Sequence, residues 1–119
     1  MSSTLKIQSD HDAIPSFELS GKLLTQETVS SLTEAIRNKV ESGTRSVIID
    51  LSDLDHMDSS GLNGILKAFT LVRNKGGQLV LLRPSSAIKK LLTISKLNTV
   101  FPIFEVKSEA YNYLTSDLT

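Results

Sequence analysis

The amino-acid sequence predicts one α/β domain with elements in the order ββαβαβαβα: a mostly parallel central sheet, an antiparallel edge strand, and helices covering the sheet. Three observations carry this reading. Val47-Ile48-Ile49 is a β-branched run of the kind found in strands buried on both faces. Leu62, Ile65, Leu66, Phe69 and Val72 then recur near the spacing of one helical face. After Gly76-Gly77 comes a second short apolar run, Leu79–Leu82. Strand, helix, strand in that order implies a right-handed crossover and a parallel pair. Ser46–Leu51 and Leu79–Leu82 are therefore expected as inner neighbours, with the first strand at an edge.

Taken in order, Thr4–Gln8 alternates, with Leu5 and Ile7 on one face, and Phe17 and Leu19 do the same within Ile14–Leu19. Ser9-Asp10-His11-Asp12 between them is turn chemistry, so the two read as an antiparallel pair. Pro15 has no N–H for a ladder and belongs at an edge, a strand end or a bulge. Gly21 closes the strand. Thr25 is the expected N-cap of a helix bearing Val29, Leu32, Ile36 and Val40, with Gly43 just past its end. Beyond Arg83-Pro84, Ser85 caps a short helix with Ile88, Leu91 and Leu92 inward. A last strand, Val100–Val106, contains Pro102, and Ser108 caps a terminal helix with Tyr111 and Leu114. Residues 1–119 form a single domain with an ordered core of about 4–115, long enough to bury its own core.

The 13 Lys and Arg balance the 13 Asp and Glu, which leaves a nucleic-acid or anionic-membrane partner without electrostatic support. The absence of cysteine excludes disulfides, Cys-based zinc sites and thiol nucleophiles. His11 and His56 are too few for a histidine metal cluster. Residues 1–9 lack the apolar core of a signal peptide, and no run approaches membrane-spanning length. The expected compartment is the cytoplasm, with no membrane insertion and no cofactor.

Function is expected where the first buried strand gives way to its helix. Asp50, Asp53, Asp55 and Asp58 crowd the connecting loop, and the helix opens at Asp58-Ser59-Ser60-Gly61. A helix N-terminus has unpaired N–H groups and the positive end of the macrodipole, and so accommodates a phosphate. Asp58 and Ser59 also suit simple capping, and spacing alone favours that reading. The aspartates match no calcium-loop spacing and lack its closing glutamate. A hydrolase nucleophile at Ser59 would need a base and a Gly-x-Ser-x-Gly elbow, which this stretch lacks. Gly76-Gly77 reads as a helix stop rather than a phosphate loop.

Asp58-Ser59-Ser60-Gly61-Leu62, preceded by Val47-Ile48-Ile49-Asp50-Leu51 and followed by Gly76-Gly77-Gln78-Leu79, resembles the STAS family. More narrowly, it resembles the stand-alone bacterial anti-sigma factor antagonists. The resemblance extends over nearly the whole chain, including Pro84-Ser85-Ser86-Ala87-Ile88-Lys89-Lys90-Leu91-Leu92. It implies that Ser59 is the serine phosphorylated by a partner kinase that doubles as an anti-sigma factor, and that a phosphatase reverses the modification. The unphosphorylated protein would bind the kinase and free the sigma factor; phosphorylation would end the binding. Two departures stand out. Kinase substrates of the family often carry an aspartate in a Gly-x-Leu-Asp segment after the second strand, where this chain has Gly21-Lys22-Leu23-Leu24. His56 stands where relatives often have a bulky apolar or aromatic residue, and reads as a solvated side chain rather than a proton shuttle.

At about 100° per residue, the core face of this helix centres on Phe69 and Leu62. Ser60, Gly64, Lys67, Ala68 and Leu71 are then expected on the solvent side, as a shallow strip where a partner's backbone lies close. The expected partner-binding set is Asp58, Ser59, Ser60, Gly61, Gly64, Lys67, Ala68 and Leu71. The alternative for Leu71 is packing under the Gly-Gly turn. Three function classes follow: a phosphorylation-controlled binding module; a STAS module without a phosphorylation cycle, serving a lipid-transport ABC complex or a signalling scaffold; and, least favoured, an enzyme acting on nucleotides or esters.

Overall fold

In the computed structural model, which describes residues 3–9 and 14–116, the elements run in the expected order. They are β1 (Ser3–Ser9), β2 (Pro15–Leu23), α1 (Gln26–Glu41), β3 (Ser46–His56), α2 (Ser59–Asn74), β4 (Gln78–Leu82), α3 (Ser86–Ile94), β5 (Ile103–Phe104) and α4 (Lys107–Ser116). One turn of 3₁₀ helix, Leu97–Thr99, precedes β5. The five strands lie in sequence order, with β1 antiparallel to β2 and the rest parallel. β3 and β4 are inner neighbours in register from Ser46↔Gln78 to Asp50↔Leu82, as the buried apolar runs require.

Strand alternation divides the core in two. Val47, Ile49, Leu51, Leu79 and Leu81 face α1, α2 and α3, while Ile48, Val80 and Leu82 face Ala110 and Leu114 of α4. Each helix reaches the sheet through the residues its periodicity marks: Val29, Leu32, Ile36 and Val40 on α1, Leu62, Ile65 and Val72 on α2, Ile88 and Leu92 on α3.

Several boundaries differ from the sequence expectation. Gly21 does not end β2: it sits within the strand at φ +123°, a conformation glycine adopts without strain, and pairing continues to Leu23. β3 likewise runs past Leu51 to His56, because Asp53, Leu54 and His56 pair with Ser20, Gly21 and Leu23. The expected aspartate-rich loop is thus mostly strand. The last strand shrinks from Val100–Val106 to Ile103–Phe104, since the chain before it closes the 3₁₀ turn and Pro102 has no N–H to pair. Ser108 lies inside the first turn of α4 rather than capping it; the Val106 carbonyl accepts from the Glu109 and Ala110 N–H groups instead. Pro15 falls at a strand end, one of its permitted places, and the turn read at residues 10–12 lies outside the described residues.

The contact that sets the site's flank joins α1 and α2. Gly64 is buried facing Val29, and a Cβ there would collide with Val29 Cγ1. Gly64→Ala is expected to destabilise: overpacking costs about 1–3 kcal/mol, against roughly 0.5–1 kcal/mol regained by removing a helical glycine. Denaturation of Gly64→Ala, Val29→Ala and the double variant should show a double variant less destabilised than the sum of the singles. Strict additivity would show that this contact does not set the helix spacing.

Candidate functional site

Because β2, β3 and β4 run parallel, α1, α2 and α3 all begin at the carboxyl ends of the strands, where α/β folds place their sites. Each start is capped as the sequence indicates. Thr25 Oγ1 accepts from Thr28 N–H at 3.4 Å, Asp58 Oδ1 from Gly61 N–H at 2.9 Å, and Ser85 Oγ from Ile88 N–H at 3.2 Å. The stretch between β3 and α2 is also held from both sides. Leu24 N–H donates to the His56 carbonyl at 3.1 Å, and Ser85 Oγ–H donates to the Asp55 carbonyl at 2.7 Å.

Ser59 is the first residue of α2, directly after its cap. Asp58, Ser59 and Ser60 are all exposed, and among the described residues Ser59 Oγ makes no hydrogen bond. Beneath them the helix end is anchored. Gly61 is buried against Leu24 and Met57, and a Cβ there would come within 3.2 Å of Leu24 Cδ2. Leu24, 3% exposed, supports the helix start as part of the core. Asp53, Asp55 and His56 are exposed on the same rim. Asp50 is not: it is buried, and its Oδ1 accepts from Ser52 N–H at 3.0 Å and Ser52 Oγ–H at 2.7 Å.

The expected solvent strip on α2 needs correction. Ser60 and Lys67 are exposed, but Gly64 and Ala68 are buried, and Leu71 is half-buried against the core. A helical wheel with one core face misses a second neighbour; here α1 packs against Gly64 through Val29. What remains is a groove of about 460 Å³ between the two helices, with Val29 and Gly64 in it. Ser60, Asn63 and Lys67 line it from α2, and Gln26, Ser30, Thr33, Glu34 and Arg37 from α1. The α1 residues went unread in the sequence although their spacing (26, 30, 33, 37) places them on one helical face. Ser59 does not line this groove, so the two serines present to different surroundings.

No group of three or more His, Cys, Asp or Glu residues arranged to hold a metal occurs among the described residues, and no helix there is long and apolar enough to cross a membrane.

The STAS domain family model matches residues 6–110. The chain belongs to the STAS family. It is 30% identical over 114 residues to an anti-sigma F factor antagonist of Paenibacillus polymyxa, a match spanning 92% of this chain and 95% of that relative. The anti-sigma factor antagonist SpoIIAA in its unphosphorylated form superposes with a TM-score of 0.82 at 20% identity, covering 95% of this chain and 97% of that one. The Bacillus cell fate determinant SpoIIAA in its phosphorylated form gives 0.74 at 22% identity, covering 92% and 98%. These two likenesses show a shared fold.

The cap geometry has a direct consequence. Asp58→Ala is expected to cost about 0.5–2 kcal/mol by orphaning the Gly61 N–H, whereas Asp58→Asn or Asp58→Ser should retain most of the stability. Urea denaturation of the three variants checks this; equal losses would show that the side-chain acceptor is not what holds the helix start.

Proposed function

We propose that this protein is an anti-sigma factor antagonist of the cytoplasm that binds an anti-sigma factor acting also as a serine kinase. In this reading its own phosphorylation on Ser59 releases it, and a phosphatase restores it. The observation that carries the reading is the presentation of Ser59: exposed, without a hydrogen bond among the described residues, and on a helix start fixed by the Asp58 cap and the Gly61–Leu24 contact. Membership of the STAS family and the relatives' naming as anti-sigma factor antagonists support it. The role is regulatory binding rather than catalysis, with no resident metal or cofactor.

Phosphate brings about −1.5 to −2 charges to a helix N-terminus. The domain itself accommodates that charge, since an exposed anion there is favourable by roughly 0.3–1 kcal/mol. A partner surface packed over an uncharged serine does not, because burying an unpaired dianion costs far more. Binding therefore switches without a change of fold. That SpoIIAA shares this fold in both its unphosphorylated and phosphorylated forms is consistent with such a switch.

A second reading has one observation in its favour. Leu24 is buried and offers no acid to a docking kinase, which suits a STAS interaction module without a phosphorylation cycle, in a lipid-transport ABC complex or a signalling scaffold. Neighbouring genes separate the two: a kinase or sigma-factor gene favours the first, transporter genes the second.

Incubation with the cognate kinase and ATP, followed by mass spectrometry, is expected to place phosphate on Ser59 and not on Ser60. In calorimetric titrations Ser59→Ala should keep partner binding and lose the off-switch. Ser59→Asp should weaken binding with its melting temperature nearly unchanged, an acid being compatible with a helix start. Phosphate on Ser60 alone would overturn the site assignment. Unchanged affinity for both the phosphorylated protein and Ser59→Asp would leave the unregulated module as the better reading.

A further inference from the structure

The balance of 13 acids against 13 bases holds for the whole chain but not along it. From Ser59 to Phe104, the stretch that forms α2, β4, α3 and β5, there are seven Lys and Arg residues and not one Asp or Glu. All seven are exposed. Among the described residues one of them has an ion pair, Lys89 with Glu105 at 2.8 Å. The acids lie outside this stretch, and Asp53, Asp55 and Asp58 are exposed on the rim at the carboxyl ends of the strands.

As crossovers between parallel strands, α2 and α3 both start at that rim and finish at the opposite end of the sheet. Arg73 and Lys75 close α2 there, and Lys96 follows the end of α3. Packing ties the two helix ends together. Phe69 of α2 meets Phe101 edge-on at 5.0 Å between ring centroids, and the Arg73 guanidinium lies over the Phe69 ring at 5.9 Å. Lys96 holds a φ of +62°, a place after a helix where glycine is the unstrained choice, so a basic side chain stands there against a backbone cost. The same end exposes two aliphatic side chains: Ile94, the last residue of α3, at 72%, and Val100, just past the 3₁₀ turn, at 41%. Lys90 lies one helical turn before Ile94, on the same face.

Aliphatic tips flanked by flexible, unpaired bases match the boundary between anionic headgroups and acyl chains. The tips enter the apolar layer, and the lysine stems follow while their ammonium groups stay with the phosphates. Nucleic acid fits less well, because bases stack on exposed aromatic rings and this end presents aliphatic side chains. We propose that this end of the molecule, centred on Ile94, rests on an anionic phospholipid surface, with Arg73, Lys75, Lys90 and Lys96 at the headgroups. The acidic rim then points away from the surface, which leaves Ser59 and the start of α2 open to solvent. With so few apolar groups the contact is reversible and sensitive to salt.

Co-sedimentation of the full chain with lipid vesicles tests this. At low ionic strength the protein should bind phosphatidylglycerol vesicles and not phosphatidylcholine vesicles, and added salt should weaken the binding. Lys96→Glu and Lys22→Glu make the same change in net charge at opposite ends of the molecule. Lys96→Glu should lower partitioning about tenfold, and Lys22→Glu, at the rim end of β2, should leave it nearly unchanged. Ile94→Ser should lower it severalfold with no change in charge. All three side chains are exposed, so the melting temperature should stay as it is. If Lys96→Glu lowers it, Ile94→Ser decides. Absence of vesicle binding, equal binding to both lipids, or equal weakening by Lys96→Glu and Lys22→Glu overturns the proposal. Binding of polyglutamate without binding of the vesicles overturns it too, and assigns the face to an acidic protein segment.

Discussion

Parallel pairing of β2, β3 and β4 is the constraint on which the rest depends. It is enforced by strands with apolar residues on both faces, Val47 to Ile49 and Leu79 to Leu82, which are stable only when both faces are covered. Parallel strands need crossovers, and the crossovers are α1, α2 and α3. Three helix starts are thereby gathered at one end of the sheet. The caps at Thr25, Asp58 and Ser85 are the local consequence of that global arrangement, and the bonds from Leu24 and Ser85 to the end of β3 make the rim one connected unit.

On that rim, the side chains that hold the helix start are distinct from those that face solvent. Asp58, Gly61, Leu24 and Met57 hold the start of α2, while Ser59 and Ser60 face outward. Gly64 is likewise structural: its small size lets Val29 of α1 come close, and it is α1's polar face that completes the groove beside Ser60. Small residues on a helix thus mark close approach, whether the neighbour is another protein or the chain's own preceding helix.

The features legible in the sequence were those whose cause is local or strictly periodic. Caps need a short polar acceptor at one position, and Thr25, Asp58 and Ser85 are caps, whereas Ser108 falls inside the first turn of α4. Buried strands need unbroken apolar runs, and the βαβ order then settles handedness and pairing. What escaped depends on partners distant in sequence. The extension of β3 through Asp53 to His56 is held by pairing with Ser20 to Leu23, which no pattern within residues 50–56 reveals. The burial of Gly64 depends on where α1 lies, and the apolar stripe of α2 reports only its sheet-facing side. β5 is shorter than its apolar run because Val100 and Phe101 close the 3₁₀ turn of Leu97–Thr99, their N–H groups donating to the Leu97 carbonyl rather than to a strand.

The central claim is that Ser59 is presented on a rigid helix start and that phosphate acts there through surface charge alone. The most direct measurement is a comparison of backbone amide NMR shifts between the unmodified protein and protein phosphorylated on Ser59. The expected result is perturbation confined to the α2 start and the adjoining rim around Leu24, His56 and Ser85, with the amides of β2, β4 and the C-terminal half of α1 unmoved. Shifts spreading through the sheet, or along the α1–α2 contact at Val29 and Gly64, would show a conformational switch and contradict the claim.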